Sequence, residues 1–303
     1  MKKLRSIEEI ISANMSATQT LARTPEPIPV MDQEESVKDY DKILKTNVAA
    51  NYTFILDFIY RCLPDISKGL KALDLCSGPG LLALSQVNYF NIDELQGIDL
   101  SEPMVRVANK NAQRRGVQDR AKFKAVDLLE FLRDTKSGTF DLVTFDNSAH
   151  DMDSLEVVAE VLKEVDRVTK SDGLFVMNDV ARLKSADITA SFVQFMGMDF
   201  LSLNMPYLYE DLEDTMYAAW LPEEIATTIP QNSQRHWYHI VPQILPYCQV
   251  IIGSDRTDSE LYLRDSKDWN KTELLDHPKK KASYQGLKDV FTSATQVKID
   301  AKK

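Results

Sequence analysis

The chain is poor in glycine and cysteine, with 10 and 3 of them among 303 residues. Cys62, Cys76 and Cys248 stand far apart in apolar surroundings. That spacing fits neither a zinc site nor a disulfide framework, so a reducing, cytoplasmic setting is expected and no metal is. Long apolar runs are missing too. None approaches the ~20 residues that span a bilayer. The N-terminal stretch MKKLRSIEEIISANM is interrupted by Glu8, Glu9 and Asn14, so it does not read as a secretory signal. Basic charge is in deficit: 36 Lys and Arg against 46 Asp and Glu leave a formal charge of −10. Nucleic-acid affinity rests largely on phosphate neutralisation, and this balance argues against a general DNA or RNA binder.

What the chain does have is a regular alternation between residues 71 and 181. KALDLC (71–76), ELQGIDL (94–100), AKFKAVDL (121–128), FDLVTFDN (140–147) and GLFVMNDVA (173–181) read as strands, with helical patterns between them. Such a rhythm predicts a parallel sheet with helices on both faces. Nearly continuous apolar strands such as LFVM suit burial on both sides. Upstream, a helix over about 5–22 leads into a proline-broken arm, RTPEPIPVMDQEE, and 36–63 is again helical. Downstream, 184–245 is rich in Met, Phe and Tyr. CQVIIGS (248–254) and ELYLRD (260–265) read as a closing antiparallel pair, followed by a polar tail. The expected fold is α/β: a doubly wound, mostly parallel, seven-stranded Rossmann-like sheet. It carries a helical cap (1–63), a core (64–183), a helical insertion (184–245), closing strands (246–265) and a C-terminal extension (266–303).

Two of the scarce glycines fall together, in DLCSGPG straight after the first strand. Either the stretch is a tight turn, or Gly78 and Gly80 let the backbone approach a ligand at the N-terminus of the next helix. Asp99 and Asp127 end the second and third strands. Aspartates at such junctions serve as helix caps, and a carboxylate at the second strand tip can also accept both hydroxyls of a ribose. Three acids, Asp74, Asp99 and Asp127, at successive strand ends favour a nucleoside site. The third glycine of a dinucleotide fingerprint is absent, and so is a Gly-Lys-Ser/Thr phosphate loop.

DLCSGPG, GIDLS, AVDL and FDLVTFDNSAHDM together resemble the class I S-adenosylmethionine methyltransferases. The likeness is specific over 71–181 and looser over 36–265. The family loop is D-x-G-x-G-x-G, and Cys76 takes the place of its first glycine. The resemblance implies S-adenosyl-L-methionine as cofactor. Asp74, Cys76, Gly78 and Gly80 would surround its methionine part and Asp99 its ribose. Leu100, Met104 and Leu128 would pack on the adenine, Asp127 would hold N6, and the stretch with Asp146 would pass beneath the sulfonium.

DNSAHDM (146–152) falls nearest the transferring methyl on that reading. His150 is then a candidate base and Asn147 a substrate-orienting group; the plainer reading makes His150 a helix-start residue bonded to backbone. Arg182 pairs either with a substrate carboxylate or with Asp179. Glu210, Asp211, Glu213 and Asp214 form a solvated helix face or attract a cationic substrate. Tyr40 and Tyr52 are candidate site tyrosines. His236 and His239 are three apart, a weak metal signal on a supposed helix, and read as surface or packing residues. The expected partners are a small-molecule acceptor and, through the N-terminal helices, a second copy of the chain, with neither nucleic acid nor membrane. Three readings stay open: methyl transfer to a small organic acceptor, in a role such as secondary metabolism; cyclisation or lysis of the cofactor with release of methylthioadenosine; and a non-catalytic cofactor-binding module.

Overall fold

A computed structural model describes residues 6–27, 30–45, 49–242, 247–257, 261–265, 268, 285 and 295–299, with 49–51 and 295–299 described by backbone alone. The parallel part of the sheet comprises β1 (Leu70–Leu75), β2 (Ile92–Asp99), β3 (Ala121–Ala125), β4 (Phe140–Asp146) and β5 (Thr169–Val180). Two antiparallel strands follow, β6 (His236–Val241) and β7 (Cys248–Ser254), and a further strand, β8 (Thr295–Ile299), lies on the edge. The order is β3-β2-β1-β4-β5-β7-β6-β8. It reverses direction between β1 and β4, both parallel neighbours, and a crevice opens beyond their C-terminal ends, where ligands bind in open α/β sheets.

Burial explains the strand sequences. Leu174 to Met177 are at most 1% exposed, because helices cover both faces. On one face lie α3 (Ala49–Cys62), α4 (Leu81–Tyr89) and α5 (Glu102–Arg114), and on the other α6 (Leu128–Asp134) and α7 (Leu155–Val168). In α7, Val158, Val161, Leu162, Val165 and Val168 form one buried stripe, the 3.6-residue periodicity of a helix packed on a sheet. Its start is fixed by Ser154, which accepts a hydrogen bond from the Val157 amide. Ser101 caps α5 in the same way.

Between β5 and β6 the insertion forms α8 (Ala186–Ser202), α9 (Pro206–Ala218) and the short α10 (Pro222–Ala226). From the N-terminal segment, α1 (Ile7–Ser16) packs on α8, and α2 (Glu34–Ile43) reaches α5 and α9. No helix among the described residues is long and apolar enough to cross a membrane.

The closing hairpin differs from the sequence reading. Its strands are β6 and β7, with Trp237 opposite Gly253 and Ile240 opposite Val250, whereas 261–265 is not a strand. HWYHIV is rich in aromatic and β-branched residues, and its inner residues are buried. Packing against both faces therefore outweighs the helical spacing of its two histidines. His239 is buried and bonds Gln249 through Nε2 at 3.0 Å, a core contact with no part in the crevice. Most of the polar tail, 266–303, lies outside the described residues; β8 within it pairs antiparallel with β6.

Candidate active site

Two adjoining cavities, of about 360 Å³ and about 290 Å³, open at the tips of β1, β2, β4 and β5. Cys76, Gly78, Asn147 and Asp211 line both. The loop after β1 makes their common wall. Cys76, Gly78 and Gly80 all have positive φ, at 51°, 51° and 77°. This left-handed conformation is ordinary for glycine and costly for cysteine. At Gly78 a Cβ would meet nothing within 4 Å, so the backbone there faces open space. At Gly80 a Cβ would lie 2.7 Å from the Phe123 ring. Gly80 therefore lines neither cavity: it caps α4 and allows close packing on Phe123 and Ala108, which corrects its expected place beside a ligand.

Asp99 braces the loop. Its Oδ2 accepts the Gly78 amide and its Oδ1 the Ser101 amide, each at 2.8 Å. Burial raises its pKa despite these bonds. Leu100, Met104, Asp127 and Leu128 line the larger cavity with it. Leu100 is 56% exposed although it is a large apolar residue, so the cavity wall presents an uncovered hydrophobic surface. Asp127 caps α6 by accepting the Glu130 amide at 2.9 Å and still faces the cavity, so capping and lining coexist.

Asp74 and Asp146 line the smaller cavity. Asp74 accepts a hydrogen bond from Thr144 at 2.5 Å, and Asp146 accepts one from the Asn178 amide group at 2.9 Å. Burial pushes each carboxyl up to about 7. Neither has a cationic partner among the described residues. Tyr40 and Tyr52 lie beside them, with phenols kept neutral by burial. Opposite stand Phe192, Met196 and Phe200 of α8.

At the polar end His150 is 3% exposed. Asp179 holds it twice, through the ring Nδ1 at 2.6 Å and the backbone amide at 2.9 Å. Its Nε2 faces Asp151 at 3.5 Å and Glu26 at 3.7 Å. Burial opposes the imidazolium, but Asp179, Asp151 and Glu26 outweigh it and push His150 up to about 10. Burial likewise lifts Asp151 and Asp211 to about 7 each.

Glu26 comes from the proline-broken arm, and nothing in its local sequence marks it for a site. Long-range contacts bring it there. The Thr20 and Leu21 amides donate to the Lys184 carbonyl, and the Thr24 amide to that of Tyr217. Arg23 lies 3.6 Å over the Trp220 ring and donates to the carbonyls of Ala218, His150 and Met152.

Arg182 is not at the cavities. The chain turns away after β5, and the side chain is buried with the Ala219 carbonyl and Glu224 at 2.8 and 3.0 Å. The expected bridge to Asp179 does not form, since Asp179 is engaged by His150. Asn147 is at the cavities, exposed, with a positive φ that asparagine tolerates.

The family profile described as "Methyltransferase domain" matches residues 66–243, more than half of the chain. The chain belongs to the class I S-adenosylmethionine-dependent methyltransferases. The demethylmenaquinone methyltransferase of Leptospira interrogans is 28% identical over 121 residues, 40% of this chain and 47% of that protein. A ribosomal protein uL3 glutamine methyltransferase of Neisseria meningitidis is 32% identical over 114 residues, 34% of this chain and 35% of the relative. The chain thus spans about half, or about a third, of the length of these curated relatives. Among solved structures, the plantazolicin methyltransferase BpumL in complex with a monoazolic desmethylPZN analog and SAH superposes with a TM-score of 0.53 at 15% identity, covering 74% of this chain and 91% of that one. That likeness is one of fold.

The crevice of this methyltransferase suits the family's cofactor on its own geometry. The open cradle at Gly78, the uncovered Leu100 and two acids without a cation among the described residues, Asp74 buried and Asp146 half-buried, offer places for backbone approach, an adenine face and an ammonium.

Proposed function

We propose that the protein transfers the methyl group of S-adenosyl-L-methionine to a small organic acceptor bound beneath the insertion. The observation that carries this reading is the joining of the two cavities across Cys76, Gly78 and Asn147. Asp99, Leu100, Met104, Asp127 and Leu128 would hold the adenosyl part, and Asp74, Cys76, Gly78 and Asp146 the methionine part. When bound, the cofactor supplies a methyl group on an already activated sulfonium leaving group. The chain's own task is then alignment and exclusion of water. The arm, pinned by Arg23, and the apolar side chains of α8 line the two cavities that meet at Asn147. The core (64–183) carries the cofactor, with the cap (1–63) and the insertion as cover.

A neutral oxygen or nitrogen acceptor has to lose a proton. His150, held charged by its three acids in the ligand-free protein, is not the group to take it. Asp151, lifted by burial to about 7, is the better base at neutral pH. This moves the base from the expected histidine to the carboxylate beside it, with His150, held in place by Asp179, as its neighbour. A small acceptor is favoured over a protein because the chain's own arm and insertion helices line the cavities; the relative named for ribosomal protein matches only about a third of either chain.

Incubation with methyl-labelled S-adenosyl-L-methionine, with and without a metabolite pool, followed by mass analysis of all products, tests the reading. Label on a small acceptor with equimolar S-adenosylhomocysteine is expected. Methylthioadenosine formed without any acceptor would replace transfer by cyclisation or lysis. Cofactor bound without turnover would leave a binding module. Asp99→Ala should weaken cofactor binding at least tenfold by calorimetry.

A further inference from the structure

We propose that Glu26, His150 and Asp151 form a site for one divalent metal cation at the polar end of the larger cavity. One ligand atom from each residue lies within 4.8 Å of the others, and His150 Nε2 faces Glu26 Oε1 and Asp151 Oδ1. The histidine nitrogen is 3.7 and 3.5 Å from the two oxygens. Metal–ligand bonds of about 2.0–2.2 Å place neighbouring ligands about 3–3.6 Å apart, so closure on an ion needs movements of under about 1 Å.

The orientation of the ligands is the second observation. Asp179 takes Nδ1 of His150 and its backbone amide, which fixes the ring with Nε2 toward the carboxylates. A carboxylate behind a histidine in this way is the usual support of a metal-bound imidazole. Thr215 donates to Glu26 Oε1 at 2.8 Å and fixes the second ligand. The three side chains are little exposed, at 4%, 7% and 23%.

The third observation is charge. Asp211 lines the same cavity, a third carboxyl group beside the two of the cluster. Arg23 is at hand but gives its donors to carbonyls and its face to Trp220. A dication would meet the two carboxylates that now face each other across His150. Three protein ligands leave positions open to the cavity, the form of site that receives a small ligand's oxygen or nitrogen; with the ion bound Asp151 is a ligand, and the base role assigned to it belongs to the metal-free chain. Two carboxylates and one imidazole suit zinc, manganese or ferrous iron rather than a soft ion. The sequence reading expected no metal from the cysteine spacing and from the weak signal of His236 and His239; Glu26 is remote in the chain from the other two ligands. Only what the open positions receive rests on the proposed acceptor; the ion's binding does not.

The test uses the full chain, stripped with chelator, without cofactor or acceptor. Calorimetric titration with Zn²⁺, Mn²⁺ and Co²⁺ should give one tight equivalent per chain for at least one ion, and Co²⁺ should develop visible d–d bands. Glu26→Gln and Asp151→Asn should each weaken that binding at least tenfold with far-UV circular dichroism unchanged; if one variant fails to fold, the other decides. Absence of binding by all three ions at millimolar concentration overturns the site, as does affinity unaltered in the folded variants. Saturable binding of methylammonium where the metals fail would assign the cluster to an organic cation instead. Failure of the labelled-cofactor assay alters none of these readouts.

Discussion

Asp74 is a carboxyl group buried with a hydroxyl for company and no cation among the described residues. Its pKa in the folded protein, about 7 against 3.8, sets the sign of its effect. The folded state holds the proton more tightly than the unfolded chain, so this residue costs stability as pH rises from about 4 through 7. The lift corresponds to about 4 kcal/mol at the alkaline end. Asp74→Asn carries no such charge. Its melting temperature in the absence of cofactor should therefore gain on the parent's between pH 5 and pH 8, while its cofactor affinity falls. A difference that is flat with pH would remove Asp74 from the role of a stored charge awaiting an ammonium. Gly80 gives a contrasting test. Its φ of 77° and the 2.7 Å approach of a Cβ to Phe123 mean that Gly80→Ala should destabilise by about 2 kcal/mol or more, measured by urea unfolding, although the residue touches no cavity.

Elements legible from local pattern were those whose partners are the sheet itself. The strands of the parallel half and the helices between them follow from apolar runs, glycine and serine punctuation, and the caps at Ser101 and Ser154. The strand-tip acids were equally plain, since a strand places its last residue at the crevice whatever lies far away. The arm was not. Its prolines read as a linker, and its contacts to Lys184, Tyr217 and Ala218 are long-range, so no periodicity announces them. The same holds for Glu26 at the site and for Arg182, whose partner Glu224 lies in the last helix of the insertion. The strand HWYHIV was missed although its composition is that of a buried strand. Arg23→Ala tests the arm as an element. It removes the stacking on Trp220 and the bonds to three carbonyls, worth about 2–3 kcal/mol together. Limited proteolysis should then cut between α1 and α2 at least several-fold faster, with the sheet's circular dichroism retained.

At the scale of the whole molecule, the sheet order concentrates function at one end and leaves the β6 side to protection. The crevice needs β1, β2, β4 and β5, all deep in the parallel half. On the other side β8 covers β6 from Trp237, opposite Ile299, to Val241, opposite Thr295. A bare strand edge is a template for pairing with another chain, and HWYHIV carries no acid or lysine to discourage it. A chain ended at Asp265 retains Leu261 and the described apolar clusters, so it should fold and bind S-adenosyl-L-methionine within about twofold of the parent. It should also associate with rising concentration, by light scattering or sedimentation, because β6 would be uncovered. Lysine in place of Tyr238 cannot separate these effects, since that side chain is fully buried. The informative comparison is the truncated chain with and without a synthetic peptide of residues 290–303. Dispersal by the peptide would identify the bare edge as the cause. A truncated chain that stays monomeric throughout, or that loses the cofactor, would show that β8 has a different part in the molecule.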